Sequence, residues 1–138
     1  MTDVDVVAKK LALIETYVRE LRELAHPIAI ASDVRERRFV EHTLQIAIQA
    51  MLDVASHIVS DERLGEPETN GQLFERLAAD HWVSPGQQRT LVAMVGFRNI
   101  LVHGYATVDP AIVRNVVENH LEDLTAFVVA IRDRWARS

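Results

Sequence analysis

The sequence predicts an all-α protein: an up-and-down four-helix bundle with one short additional helix, in a single domain over residues 1–138. Three observations carry this. Apolar side chains recur at three- and four-residue steps through every long segment, as one face of a helix requires. Ser84-Pro85 and Asp109-Pro110 place a capping residue directly before a proline, the order that opens helices. No segment holds the period-two alternation of a strand. A chain of 138 residues can bury roughly 68% of its unfolded surface, enough for a full core without staples.

The first helix is expected from about Asp5 to Ala25, with Val7, Leu11, Ile14, Val18 and Leu21 facing inward. Its outer face carries Glu15, Arg19 and Glu23, neighbours of alternating sign that suit solvent, and Pro27 ends it near His26. The second helix is expected from Ser32 or Asp33 to about Ser60, where Asp33 and Glu36 have the spacing of a capping box. It would be about 40 Å long at 1.5 Å per residue. Val40, Leu44, Ala47, Met51, Ala55 and Ile58 form its apolar face. A second stripe, Arg38, His42, Gln45, Gln49, Asp53 and His57, makes a polar but largely uncharged ridge. The ridge is either a solvated flank or a polar wall facing a cleft or a second copy. Arg35, Arg37 and Arg38 form the one tight basic cluster, a candidate for phosphate contact.

Turn residues between Asp61 and Gly71 mark a loop, followed by a short helix from Gln72 to about His81. The next helix starts at Ser84-Pro85-Gly86-Gln87, with Ser84 as cap and Gln87 completing a capping box. It carries the most apolar stretch of the chain, reads as the centre of the bundle, and holds Gly96, which is expected to permit a close helix approach. Gly104 reads as the residue just past its end. The last helix runs from Asp109 to the C-terminus, with Val113, Val116, Leu121, Leu124, Val128, Ile131 and Trp135 inward.

Composition removes several function classes. The formal charge of −5 argues against a broad basic surface that grips nucleic acid nonspecifically, so any positive potential must be local. Aromatics at 6% and five glycines give neither a base-stacking platform nor a phosphate-binding glycine loop. The chain has no cysteine, which excludes disulfides and cysteine-based zinc sites. Neither HExxH nor paired ExxH motifs occur, and Asp53 with His57 alone make a poor metal site, so no metal or cofactor is expected. The residues Met1-Thr2-Asp3-Val4-Asp5 are acidic where a signal peptide is basic, and no apolar run approaches the ~20 residues of a membrane span. A cytoplasmic protein is the expectation.

One stretch concentrates the chemistry: Phe97-Arg98-Asn99-Ile100-Leu101-Val102-His103-Gly104-Tyr105. From Leu91 to Val102 the only hydrogen-bonding side chains are Arg98 and Asn99, and a charge kept in so apolar a run needs a partner. An imidazole that moves protons near neutral pH beside a guanidinium that holds a phosphate suits phosphodiester cleavage without metal. The same residues also suit a structural ion pair or a helix C-terminal cap. Arg98 and His103 lie ~140° apart on an ideal helix, so they diverge, whereas Asn99 and His103 share a face, where Asn99 can orient the imidazole or a phosphate.

These residues resemble the R-x4-H-x-Y signature of HEPN-domain proteins, specifically the HepT toxins of the HepT/MntA toxin-antitoxin class. The resemblance extends over the chain, through the helical architecture and the long second helix with Leu44-Gln45-x-Ala47-Ile48 and Asp53-x-x-x-His57-Ile58. It implies a HEPN-like fold and a homodimeric, metal-independent endoribonuclease whose paired motifs line a cleft between the two copies. In that scheme Arg98 binds the scissile phosphate of RNA and His103 transfers protons during attack by the ribose 2′-hydroxyl. Tyr105 matches the tyrosine that an MntA-like nucleotidyltransferase antitoxin modifies with AMP. Asn99, Asp53, His57 and Arg38 become candidates for supporting or phosphate-binding roles. The alternative is a noncatalytic helical module that binds a nucleotide or pairs with a nucleotidyltransferase.

Overall fold

A computed structural model describes residues 3–103 and 108–137. Its long second helix, α2 (Val34–Asp61), touches every other helix: α1 (Val4–Leu24), α3 (Asn70–Ala79), α4 (Pro85–His103), α5 (Pro110–Asn119) and α6 (Leu121–Ala136). The four long helices close a ring, α1 on α2, α2 on α4, α4 on α6 and α6 on α1. The described residues are helical or loop, with no strand. Centrality belongs to α2 rather than to α4, as its sequence explains in retrospect. Beside the expected stripe, Ile48, Ala50, Leu52, Val54 and Val59 are also buried, so apolar surface wraps much of its circumference.

Capping chemistry sets the boundaries. Asp3 accepts from the backbone N–H groups of Asp5 and Val6 and opens α1. Asp33 accepts from Arg35 and Glu36 at the head of α2, but Glu36 does not close the expected box; its carboxylate accepts instead from the His26 backbone N–H at 3.1 Å, tying the α1–α2 connection to α2. The Ser84–Gln87 box is reciprocal. Gln87 N–H donates to Ser84 Oγ at 3.1 Å and Ser84 N–H donates to Gln87 Oε1 at 2.9 Å. α3 begins at Asn70, capped by Thr69, and ends at Ala79, just before His81 takes a left-handed φ of 63°.

The expected last helix is two helices. His120 leaves helical geometry (φ −125°, ψ 5°) and its ring meets the Asp123 carboxylate at 3.0 Å. The break lets α5 pack on the 3₁₀ turn Pro27–Ala29 while α6 turns to lie along α1 and α4. There, Phe127 meets Phe74 of α3 edge-on, with ring centroids 6.3 Å apart, and Glu15 of α1 takes a bidentate bond from Arg132 (2.9 and 2.7 Å) rather than facing only solvent. No described helix is long and apolar enough to cross a membrane.

Candidate functional site

The helix α4 is buried on one side only. Leu91, Met94, Val95 and Phe97 enter the core, while Val92, Ala93, Gly96, Asn99, Ile100, Val102 and His103 are exposed. Gly96 meets nothing: a Cβ built there finds no atom within 4 Å. The close approach expected at Gly96 is therefore absent among the described residues. What the sequence presented as one apolar run is a core face and an open face of mostly small and aliphatic residues.

Arg98 sits on the inward side and reaches α2. Its Nη2 donates to Gln49 Oε1 at 2.6 Å, and its Nη1 donates to Asn99 Oδ1 at 3.3 Å. The Nε is buried without a hydrogen-bond partner. Both acceptors are neutral amide oxygens, so the charge is held in place and not cancelled. Gln49 is oriented in turn by Asp53 one turn along α2, whose Oδ1 accepts from Gln49 Nε2 at 2.9 Å, and Asp53 Oδ2 accepts from Lys10 Nζ of α1 at 3.1 Å. One polar chain thus runs Lys10, Asp53, Gln49, Arg98, Asn99 through α1, α2 and α4.

The sequence-predicted residues divide accordingly. Arg98, Asn99 and Asp53 come together. Gln49 was placed on the polar ridge without being singled out, and Lys10 was missed. The ridge is an intrachain seam in its middle, since Gln49 faces α4 and Asp53 faces α1, and only its start, at Arg38 and His42, is exposed. Arg38 lies about 16 Å along α2 from Gln49 and makes no hydrogen bond or ion pair among the described residues. His57 lies about 12 Å the other way. It lines a polar cleft of about 320 Å³ with Lys10, Asp53, Ser56, Ser60 and Asp61, so it is near Asp53 but outside the surroundings of Arg98.

His103 is the last residue of α4 and is exposed, and its five-residue spacing from Arg98 sets the two ~140° apart around the helix. Asn99 shares its face, yet Asn99 Oδ1 accepts from Arg98 and not from the imidazole. Gly104 and Tyr105 lie outside the described residues. Among the described residues, then, one chain supplies a poised guanidinium and an outward imidazole at the same helix end, without converging them.

Known proteins share this arrangement of helices and much of this sequence. A family model described as "Ribonuclease HepT-like" matches residues 14–131. The chain is 30% identical over 129 residues to the mRNA nuclease HepT of Shewanella oneidensis, covering 93% of this chain and 97% of that protein. It is 29% identical over 115 residues to the tRNA nuclease HepT of Aphanizomenon flos-aquae, covering 80% and 78%. It superposes on the tri-AMPylated Shewanella oneidensis HEPN toxin in complex with MNT antitoxin with a TM-score of 0.86 and 30% identity, covering 96% of this chain and 99% of that one. That family match runs from the middle of α1 to within five residues of the end of α6 and so takes in part or all of every helix, and the chain belongs to the HepT-like ribonuclease family.

Proposed function

We propose that this chain, a single domain over residues 1–138, is the ribonuclease toxin of a toxin–antitoxin pair, cleaving RNA without metal at a site built from Arg98 and His103 of two copies. The observation that carries this reading is the guanidinium of Arg98, fixed by two neutral oxygens with its charge uncancelled. Such a group binds a phosphodiester and the extra negative charge of its transition state. The ribose 2′-hydroxyl attacks the adjacent phosphorus, His103 takes the hydroxyl proton, and the P–O5′ bond breaks as the 5′-oxygen takes a proton from water. The ends are a 2′,3′-cyclic phosphate and a 5′-hydroxyl.

A second copy supplies what one chain lacks. The open face of α4 carries Val92 (38% exposed), Ile100 (52%) and Val102 (37%), with Gly96 uncovered between them, and His103 stands at its end. Pairing this face about a two-fold axis buries the apolar strip and sets two Arg98–His103 ends side by side. Asp53 and Asn99 act by holding Arg98, while His57 and Arg38, away from it along α2, have no part in holding the guanidinium. Tyr105 stands two residues after His103 and is the residue that a nucleotidyltransferase antitoxin would modify with AMP; the similar Shewanella toxin is described as tri-AMPylated and bound to such an antitoxin. Cellular RNA incubated in EDTA with wild type, Arg98→Ala and His103→Ala tests the reading. Cleavage by the wild type alone supports it, and equal cleavage by all three refutes it. Loss of AMP incorporation in Tyr105→Phe tests the modification site.

A further inference from the structure

The chain of contacts behind Arg98 has a charge pattern that packing alone does not require. Lys10 and Asp53 cancel each other, Gln49 is neutral, and Arg98 contributes the one remaining charge, so the chain carries a net +1 with the charge at its α4 end. Replacing Gln49 by a carboxylate would hold the guanidinium as firmly but would neutralise it. A carboxamide carries a different difficulty, because its oxygen and nitrogen ends are nearly isosteric, and a flipped Gln49 would turn an NH₂ toward a guanidinium that has no acceptor to offer. Asp53 removes that ambiguity. An ionised carboxylate only accepts, so it takes Gln49 Nε2 (2.9 Å) and leaves Oε1 facing Arg98 (2.6 Å). Lys10 then fixes Asp53 from α1 (3.1 Å) and balances its charge.

We propose that Lys10, Asp53 and Gln49 form a positioning relay that sets the orientation of the Arg98 guanidinium while keeping its charge available to an anion. None of the three touches the phosphate. The relay rests on the ribonuclease reading for its effect on cleavage, whereas its effect on Arg98 is readable in the free protein. The relay is drawn from α1 and α2 and acts on α4, so it also makes the α1–α2–α4 packing a determinant of the site. Lys10 lies on an element with no residue of the R-x4-H motif.

The test reads Arg98 directly. In ¹⁵N-edited NMR of the full chain, the Arg98 Nε–Hε signal, assigned by its loss in Arg98→Lys, should exchange slowly with water because Nε is buried. Asp53→Asn and Lys10→Met should speed that exchange at least about ten-fold and lower kcat by about 10- to 100-fold, the cost of a misplaced catalytic group. Lys10→Arg should restore both. Gln49→Glu should keep exchange slow yet lose cleavage, since it orders the guanidinium and cancels its charge. Arg132→Met breaks another ion pair of α1, with α6, and controls for stability alone; it should leave Arg98 exchange unchanged. Unchanged exchange in Asp53→Asn and Lys10→Met overturns the relay, as does full activity in Gln49→Glu. Faster exchange in those two variants, with a wild type that cleaves no RNA, keeps the relay and overturns the ribonuclease reading.

Discussion

Truncating Ile100 to Ala should weaken self-association without harming the fold. The side chain is 52% exposed in the single chain, so roughly half of its hydrophobic burial is still to be gained. Full burial of an isoleucine is worth up to about 3 kcal/mol, and the unburied half, discounted for incomplete cover, is about 1 kcal/mol per copy. A two-fold interface contains the position twice, giving about 2 kcal/mol and a dimer Kd raised about 30-fold. Sedimentation equilibrium over a concentration series measures this, with circular dichroism and urea unfolding at high dilution as the check that the chain itself is intact. Cleavage of RNA should fall with the dimer fraction and recover at high protein concentration. A wild type that is monomeric at all concentrations, or an Ile100→Ala dimer with unchanged Kd, would refute the placement of the second copy on α4.

Arg98→Lys keeps the charge but cannot reproduce the forked contacts to Gln49 and Asn99, so kcat should drop by at least about 100-fold with little change in stability; near-normal turnover would show that charge alone suffices. Glu15→Gln should expose the pH dependence of the α1–α6 pair. The bidentate bond from Arg132 holds the Glu15 carboxyl below its ordinary value of 4.5, so its stabilisation is present above that value and is lost as pH falls through the lowered one. Wild type and variant should therefore differ in the unfolding free energy from urea titrations at neutral pH, by no more than about 1 kcal/mol for so exposed a pair, and converge in acid; a gap that widens in acid would contradict the assignment. Phe127→Ala removes a fully buried ring packed on Phe74 and should cost about 3–5 kcal/mol in chemical denaturation. A loss under about 1 kcal/mol would mean that the α3–α6 contact is not part of the core.

The helices were legible because their caps and periodicities are local: Asp33, Ser84 and Asp109 each stand where a helix begins. The break at His120 was not, because Val113, Val116, Val117, Leu121 and Leu124 keep their phase across it and no glycine or proline marks it. Within the site, the need of Arg98 for a partner could be read from its apolar neighbours, and the ridge on α2 contained that partner. The choice of Gln49 over Asp53 as the direct contact depends on how far α4 sits from α2, which no periodicity encodes. Lys10 depends on the crossing of α1 over α2 in the same way. The exposed face of α4 was hidden for a different reason: an aliphatic strip left exposed has the same composition as one packed in the core.

A protein of net charge −5 faces a polyanion with the wrong sign, and the structure answers this locally. Exposed carboxylates elsewhere act through water and salt, where interactions fade beyond about 8 Å at physiological ionic strength. Arg98 is held differently, at the edge of the core, where the effective dielectric is lower and each nearby charge counts for more. In that setting a carboxylate in direct contact would outcompete a phosphate, and an unattached guanidinium would spend little time in any one orientation. Gln49 avoids both outcomes by binding through a neutral oxygen, and Asp53 can stand one residue further back because Lys10 offsets it. In the proposed dimer, doubling this arrangement across a two-fold axis would bring two such cations to one cleft and raise the local positive potential without making the whole surface basic. Such a site would favour RNA at one place while the acidic remainder repels it, so association should weaken with salt as a few contacts do, with a shallow slope, rather than as a broad basic face does.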